Sequence, residues 1–198
     1  MATLRLGFVQ SASRVGQLPE ARRELAVVGR SNVGKSSLLN ALSNQKGLAR
    51  TSKTPGATKL LNVFEVDDLP GRWLVDLPGY GYAKVSANER QRWQSMIEGY
   101  LAERESLEMV LLLIDGAVGP TASDQNTYDW LLDQGHEVRV VATKDDKVKA
   151  SKRQKRRSEL AAGLDLAKSE VRWVSAAKGT GIPELRNELY KWFKGTDS

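Results

Sequence analysis

Eight consecutive residues, Gly29-Arg30-Ser31-Asn32-Val33-Gly34-Lys35-Ser36, have the spacing of a loop that wraps phosphate. Glycines let the backbone come close to oxyanions, and successive N–H groups point inward. Lys35 then reaches the outer phosphates, and the Ser36 hydroxyl ligates Mg²⁺. About 40 residues further on stands Asp76-Leu77-Pro78-Gly79. Its carboxylate suits the same metal through water, and the Gly79 N–H suits a terminal phosphate. Thr143-Lys144-Asp145-Asp146 offers base selection. Guanine presents two donors, N1–H and the 2-amino group, that one carboxylate accepts together. Adenine strands that carboxylate, a loss that discriminates strongly. Asp146 is the expected guanine partner, Asp145 its solvent-facing neighbour, and the Lys144 stem is expected along the base plane. The small residues Ser175-Ala176-Ala177 let backbone N–H groups approach the guanine oxygen.

These segments need elements to hold them. Glu24 to Val28 is a short apolar run, read as a buried strand that ends at the glycine-rich loop. Ser36 to Ser43 follows as a helix. Leu60 to Asp67 and Arg72 to Asp76 read as a hairpin. Ser86 and Glu89 have capping-box spacing before a helix whose stripe is Trp93, Met96, Ile97, Tyr100 and Leu101. Met109 to Asp115 is a strand apolar through its middle, as expected with both faces covered. Ser123 to Gln134 is a helix, Val138 to Ala142 a strand, Ser151 to Gly163 a helix, Val171 to Val174 a strand and Ile182 to Phe193 the last helix. Alternating strands and helices imply right-handed crossovers and a mainly parallel sheet with helices on both faces. Ligands bind beyond the carboxyl ends of such strands, and all four chemical segments close a strand. The expectation is an α/β fold with six strands, one of them an antiparallel edge. The organisation expected is one domain over 1–198, with an N-terminal extension at 1–20 and a flexible tail at 194–198.

Composition narrows the function classes. The chain has 198 residues and no cysteine, which excludes disulfides, thiolate catalysis and Cys-based zinc sites. It contains no apolar run of membrane-spanning length, and Met1 to Gln10 has no signal-peptide pattern. A cytoplasmic protein with no membrane partner is expected. The lone His136 reads as a loop residue without chemistry. Net charge is +6, and seven of the eleven residues from Lys147 to Arg157 are basic with none acidic. That concentration points to a polyanionic partner.

The order G-x-x-x-x-G-K-S, P-G-x-T, D-x-P-G, T-K-x-D and S-A resembles the translation-factor-related GTPases, with their Ras-like P-loop fold. Gly29 to Leu42, Thr54 to Thr58, Asp76 to Ala83 and Thr143 to Lys147 narrow this to a resemblance to the EngB-type ribosome-biogenesis GTP-binding proteins of bacteria. The resemblance implies a small single-domain GTPase acting in large-subunit ribosome assembly, with a link to cell division and septation; a Mg²⁺-dependent monomer is expected. The resemblance carries over Ser36 and Thr58 as Mg²⁺ ligands, beside the Asp76 already expected there, and implies nucleotide contact along Gly56, Ala57, Thr58, Lys59 and Leu60. Thr143 replaces the Asn of the broader superfamily, so guanine specificity leans on Asp146. Tyr80 follows Gly79 where Ras-like enzymes carry the Gln that orients water. The chemistry is therefore expected to rest on Lys35, Thr58, Gly79 and Asn32, whose side-chain carbonyl could hold K⁺. A P-loop kinase or ATPase is the competing enzyme reading, opposed by T-K-D-D at a strand end. A nucleic-acid-binding module is the competing non-enzyme.

Overall fold

The computed structural model describes residues 4–49, 60–80 and 87–195. Seven strands form one sheet in the order β1-β3-β4-β2-β5-β6-β7. The strands are β1 (Leu6–Ala12), β2 (Arg23–Gly29), β3 (Leu61–Val66), β4 (Arg72–Asp76), β5 (Leu107–Asp115), β6 (Glu137–Thr143) and β7 (Val171–Trp173). The helices are α1 (Lys35–Ser43), α2 (Ala87–Glu103), α3 (Ala122–Asp133), α4 (Arg153–Ala162) and α5 (Ile182–Lys194).

One feature differs from the expected sheet. There are seven strands rather than six, because part of the expected N-terminal extension forms β1. The expected antiparallel edge is present: β1, the outermost strand, pairs antiparallel with β3, which also runs against β4. In β1 the register shifts between Phe8 and Gln10, so Val9 is an extra residue. That bulge breaks the period-two alternation by which a strand is recognised in sequence.

The central strands are buried on both faces, which explains their unbroken apolar runs. On one face α1 and α5 pack Leu38, Leu39, Leu42, Leu185, Leu189 and Phe193 onto Leu25, Val27, Leu111 and Leu113. On the other, α2, α3 and α4 pack Tyr100, Leu131 and Leu160 onto Ala26, Val28, Val110 and Leu112. Full burial of such a side chain contributes about 1.5–3 kcal/mol each, and both faces of β2 and β5 gain it. The helix stripe expected in α2 is present at Met96, Ile97, Tyr100 and Leu101. Its Trp93 side chain and the Ser86–Glu89 capping box lie outside what is described.

Polar groups fix the ends of the elements. Arg186 donates to the Leu42 and Ala41 carbonyls at the end of α1, and Arg23 donates to Trp192 O near the end of α5. The fully buried Glu24 accepts from Tyr100 Oη at 2.7 Å and from Ser106 Oγ at 3.0 Å, and it pairs with Arg104. This satisfied cluster ties the start of β2 to the end of α2. No helix among the described residues is long and apolar enough to cross a membrane.

Candidate functional site

The phosphate-type loop lies between the end of β2 and the first turn of α1. Its curl comes from two left-handed residues, Asn32 (φ 64°) and Gly34 (φ 108°). Gly29 is needed for a different reason. A Cβ there would stand 2.9 Å from Val33 Cγ1 and 3.0 Å from Leu113 O. No side chain caps α1 at Gly34, so its leading N–H groups face the loop with the positive end of the helix dipole. This is the arrangement that binds an anion.

Lys35 is buried, and its Nζ lies 2.8 Å from Asp76 Oδ1 at the end of β4. Ser36 sits half-buried in the same first turn of α1. Through Lys35, the buried Asp76 carboxylate is tied to the turn that carries the Ser36 hydroxyl, and these two hard-oxygen donors are of the kind that suits Mg²⁺, with most of its shell left to water and phosphate.

Beyond Asp76 the chain continues alongside the loop. Leu77 N donates to Val27 O at 3.1 Å, Tyr80 N to Gly29 O at 3.3 Å, and Ser31 N to Tyr80 O at 3.0 Å. Leu77 and Pro78 are buried. Gly79 is pressed onto the loop backbone, where a Cβ would lie 2.9 Å from Ser31 N. The D-x-x-G segment and the phosphate-type loop are therefore one paired unit.

The T-K-D-D segment is attached to the same loop. Thr143 Oγ1 donates to Val33 O at 2.6 Å. The Asn-to-Thr departure thus keeps a side-chain donor on the loop. Lys144, itself left-handed (φ 58°), donates through Nζ to Asn32 O at 2.8 Å and pairs with Asp115 at 2.6 Å. Its stem passes 3.9 Å from where a Gly34 Cβ would be. Asp146 Oδ1 accepts from the buried Ser175 Oγ at 2.6 Å, and that hydroxyl holds the Asp146 carboxyl below its usual pKa. Ser175 is braced in turn: its hydroxyl accepts from Lys178 N, and its N–H donates to Thr180 O. Ala176 and Ala177 form the turn beside it.

One expectation is corrected here. Asp145 is not solvent-facing but 4% exposed. Arg157 and Arg153, from the first turns of α4, reach back to its Oδ1 at 3.4 and 3.6 Å. The basic stretch divides accordingly. Arg157 also lies over the Trp173 ring, and Arg156 donates to Val118 O. Lys147, Lys149, Lys152 and Lys155 remain exposed.

Gly56, Ala57, Thr58 and Lys59 lie outside the described residues, and Leu60 is exposed just before β3. His136 is half-buried in the turn before β6, and burial lowers its pKa. No cluster of metal-ligating side chains occurs among the described residues. The sequence reading missed Asp115 and Asp124. Both are buried acids, at a strand end and in a helix's first turn. Asp115 closes an otherwise apolar strand, and the Thr121–Asp124 spacing was a visible cap.

A family model described as a 50S ribosome-binding GTPase matches residues 24–144. The chain is 48% identical over 187 residues to a probable GTP-binding protein EngB from Pelotomaculum thermopropionicum, covering 93% of each chain. It is 44% identical to another of that name from Clostridium botulinum, covering 94% of each. A crystal structure of a probable GTP-binding protein engB superposes with TM-score 0.70 at 24% identity, over 87% of this chain and 99% of that one. Era in complex with MgGDPNP and a 16S ribosomal RNA segment superposes with TM-score 0.68 at 28% identity, over 88% of this chain and 57% of that one.

Proposed function

Because the chain belongs to the EngB family of GTP-binding proteins and carries a GTPase domain, we propose that it is a cytoplasmic guanine-nucleotide switch acting in large (50S) ribosomal subunit assembly. Normal cell division and septation depend on it in this reading. The observation that carries the proposal is the attachment of the base-reading segment to the phosphate-type loop. Thr143 and Lys144 both bond loop carbonyls, while Asp146 is held by Ser175.

The residues divide the work as follows. Backbone N–H groups of Arg30 to Ser36 cradle the phosphates, and Lys35 leaves Asp76 for the β- and γ-phosphates. Ser36, Asp76 and Thr58 would hold Mg²⁺, which would supply charge neutralisation on the phosphate oxygens. Gly79 presents its N–H to the γ-phosphate, so the triphosphate alone engages this segment. Asp146 accepts from guanine, the Lys144 stem covers the base, and Ser175 to Ala177 face the guanine oxygen. Tyr80 cannot orient water as a Gln does, so intrinsic hydrolysis is slow. The Asn32 side chain is exposed, and its carbonyl would supply a ligand for K⁺, whose charge would stabilise the transition state as an arginine finger does.

The ribosomal partner is met by the exposed lysines rather than by the arginines. Four basic residues in the first turns of α4, Arg153, Lys155, Arg156 and Arg157, oppose the helix dipole. Arg153 and Arg157 are retained by Asp145, and Arg156 by Val118 O and Glu159; Lys149 and Lys152, with Lys155 exposed beside Glu159, are left to face RNA phosphates. The test is sedimentation with large-subunit particles in a non-hydrolysable GTP analogue and in GDP. The wild type should co-sediment preferentially with the analogue and dissociate steeply with salt. Lys149→Glu, Lys152→Glu and Lys155→Glu together should abolish co-sedimentation with GDP affinity intact. Full co-sedimentation of this triple variant at physiological salt would refute the surface. Equal sedimentation in both nucleotides would refute the switch.

A further inference from the structure

One buried carboxylate joins three segments around the site. Asp124, in the first turn of α3, is fully buried. Its Oδ2 accepts from the Thr121 N–H at 2.9 Å and from Thr121 Oγ1 at 2.7 Å, and lies 3.3 Å from Arg30 Nε in the phosphate-type loop. Its Oδ1 accepts from Tyr80 Oη at 2.8 Å. An isolated charge at such a place is costly, and this one is matched on both oxygens.

Tyr80 is thus fixed at both ends. Its backbone pairs with Gly29 and Ser31 of the loop, and its side chain reaches across to α3. Gly79 is the residue between Tyr80 and the buried Pro78, packed against Ser31 so closely that no side chain fits between them. Burial, reinforced by the Asp124 charge, raises the Tyr80 pKa well above its ordinary value. The phenol remains a donor at any working pH.

We propose that Tyr80 and Asp124 are positioning residues that hold the Gly79 N–H at the height of the γ-phosphate, so that their contact sets the preference for triphosphate over diphosphate. The residue that replaces the water-orienting Gln thereby has a different task, and α3 becomes part of the nucleotide-sensing unit. The inference rests on the proposed γ-phosphate contact of Gly79.

Tyr80→Phe keeps the ring and removes only the hydroxyl. Affinity for a non-hydrolysable GTP analogue should fall about tenfold, the scale of one hydrogen bond to a charged group, while GDP affinity changes less than about twofold. Asp124→Asn should act in the same direction, and the double variant should be no worse than the stronger single one. A merely structural contact would lower both affinities alike, or lower the melting temperature with the ratio unchanged. Either result overturns the proposal. Gly79→Ala separates the two readings. If it abolishes the triphosphate preference and Tyr80→Phe does not, the positioning role falls and the γ-phosphate contact stands. If neither variant alters the ratio, both fall.

Discussion

Replacing Asp146 with Asn should convert the base preference from guanine to xanthine. In the structure Asp146 Oδ1 accepts from Ser175 Oγ at 2.6 Å, which leaves lone pairs on both oxygens for the two guanine donors. The amide turns one acceptor into a donor. One charge-assisted hydrogen bond is lost, worth about 1.5–3 kcal/mol. A donor then faces the guanine 2-amino group, adding a desolvation loss of about 1–3 kcal/mol. The sum is roughly 3–6 kcal/mol, or about 10² to 10⁴ in affinity. Xanthine carries a 2-oxo group that accepts from the new amide, so XDP recovers much of it. Titration of wild type and Asp146→Asn with fluorescent GDP and XDP measures both arms. GDP binding within about threefold of wild type would refute the assignment. The same carboxylate sets a pH dependence. Ser175 lowers its pKa below the ordinary Asp value near 4. The stabilisation it brings is therefore present above that value and lost as pH falls through the lower folded one. Asp146 should therefore add no pH dependence of its own between about pH 8 and pH 5, so the ratio of wild-type to Asp146→Asn affinity for GDP should stay constant across that range.

Two further outcomes follow from other parts of the structure. Tyr100→Phe removes the 2.7 Å bond to fully buried Glu24, which should cost about 1.5–3 kcal/mol and lower the melting temperature by roughly 5 °C. Calorimetry checks this, and an unchanged midpoint would mean that Arg104 and Ser106 satisfy Glu24 alone. Single-turnover GTP hydrolysis should be faster in K⁺ than in Na⁺ at equal ionic strength, and Asn32→Ser should remove the difference. A rate independent of the cation in both proteins would exclude that role for Asn32.

The strand ends that carry the site were legible because each pairs an apolar run with a motif of fixed spacing. Gly29 to Ser36, Asp76 to Gly79, Thr143 to Asp146 and Ser175 all fall where periodicity places a strand's carboxyl end. β1 was not legible, because the extra Val9 shifts its alternation halfway along. Asp145 was misread for a related reason. Its burial depends on Arg153 and Arg157, eight and twelve residues away on another element. Local sequence shows a charged loop and gives no hint that α4 folds back over it. The Tyr80–Asp124 contact spans 44 residues. Each partner has a common role when read alone, a tyrosine after a glycine and an acid in a helix cap. Only the sheet order, which sets β4 beside β2 and β2 beside β5, brings them together.

The bulge in β1 has a consequence for solution behaviour. β1 is the outermost strand on its side of the sheet, and it exposes Phe8 at 55% and Val9 at 40%. A regular, apolar outer strand is a template on which another chain can add a strand. Val9 interrupts that template. Only three residues on each side of it stay in register with β3, too few for a lasting ladder with a second molecule. Deleting Val9 would leave an uninterrupted outer strand with Phe8 still on it, and should increase self-association at high concentration relative to the unaltered chain.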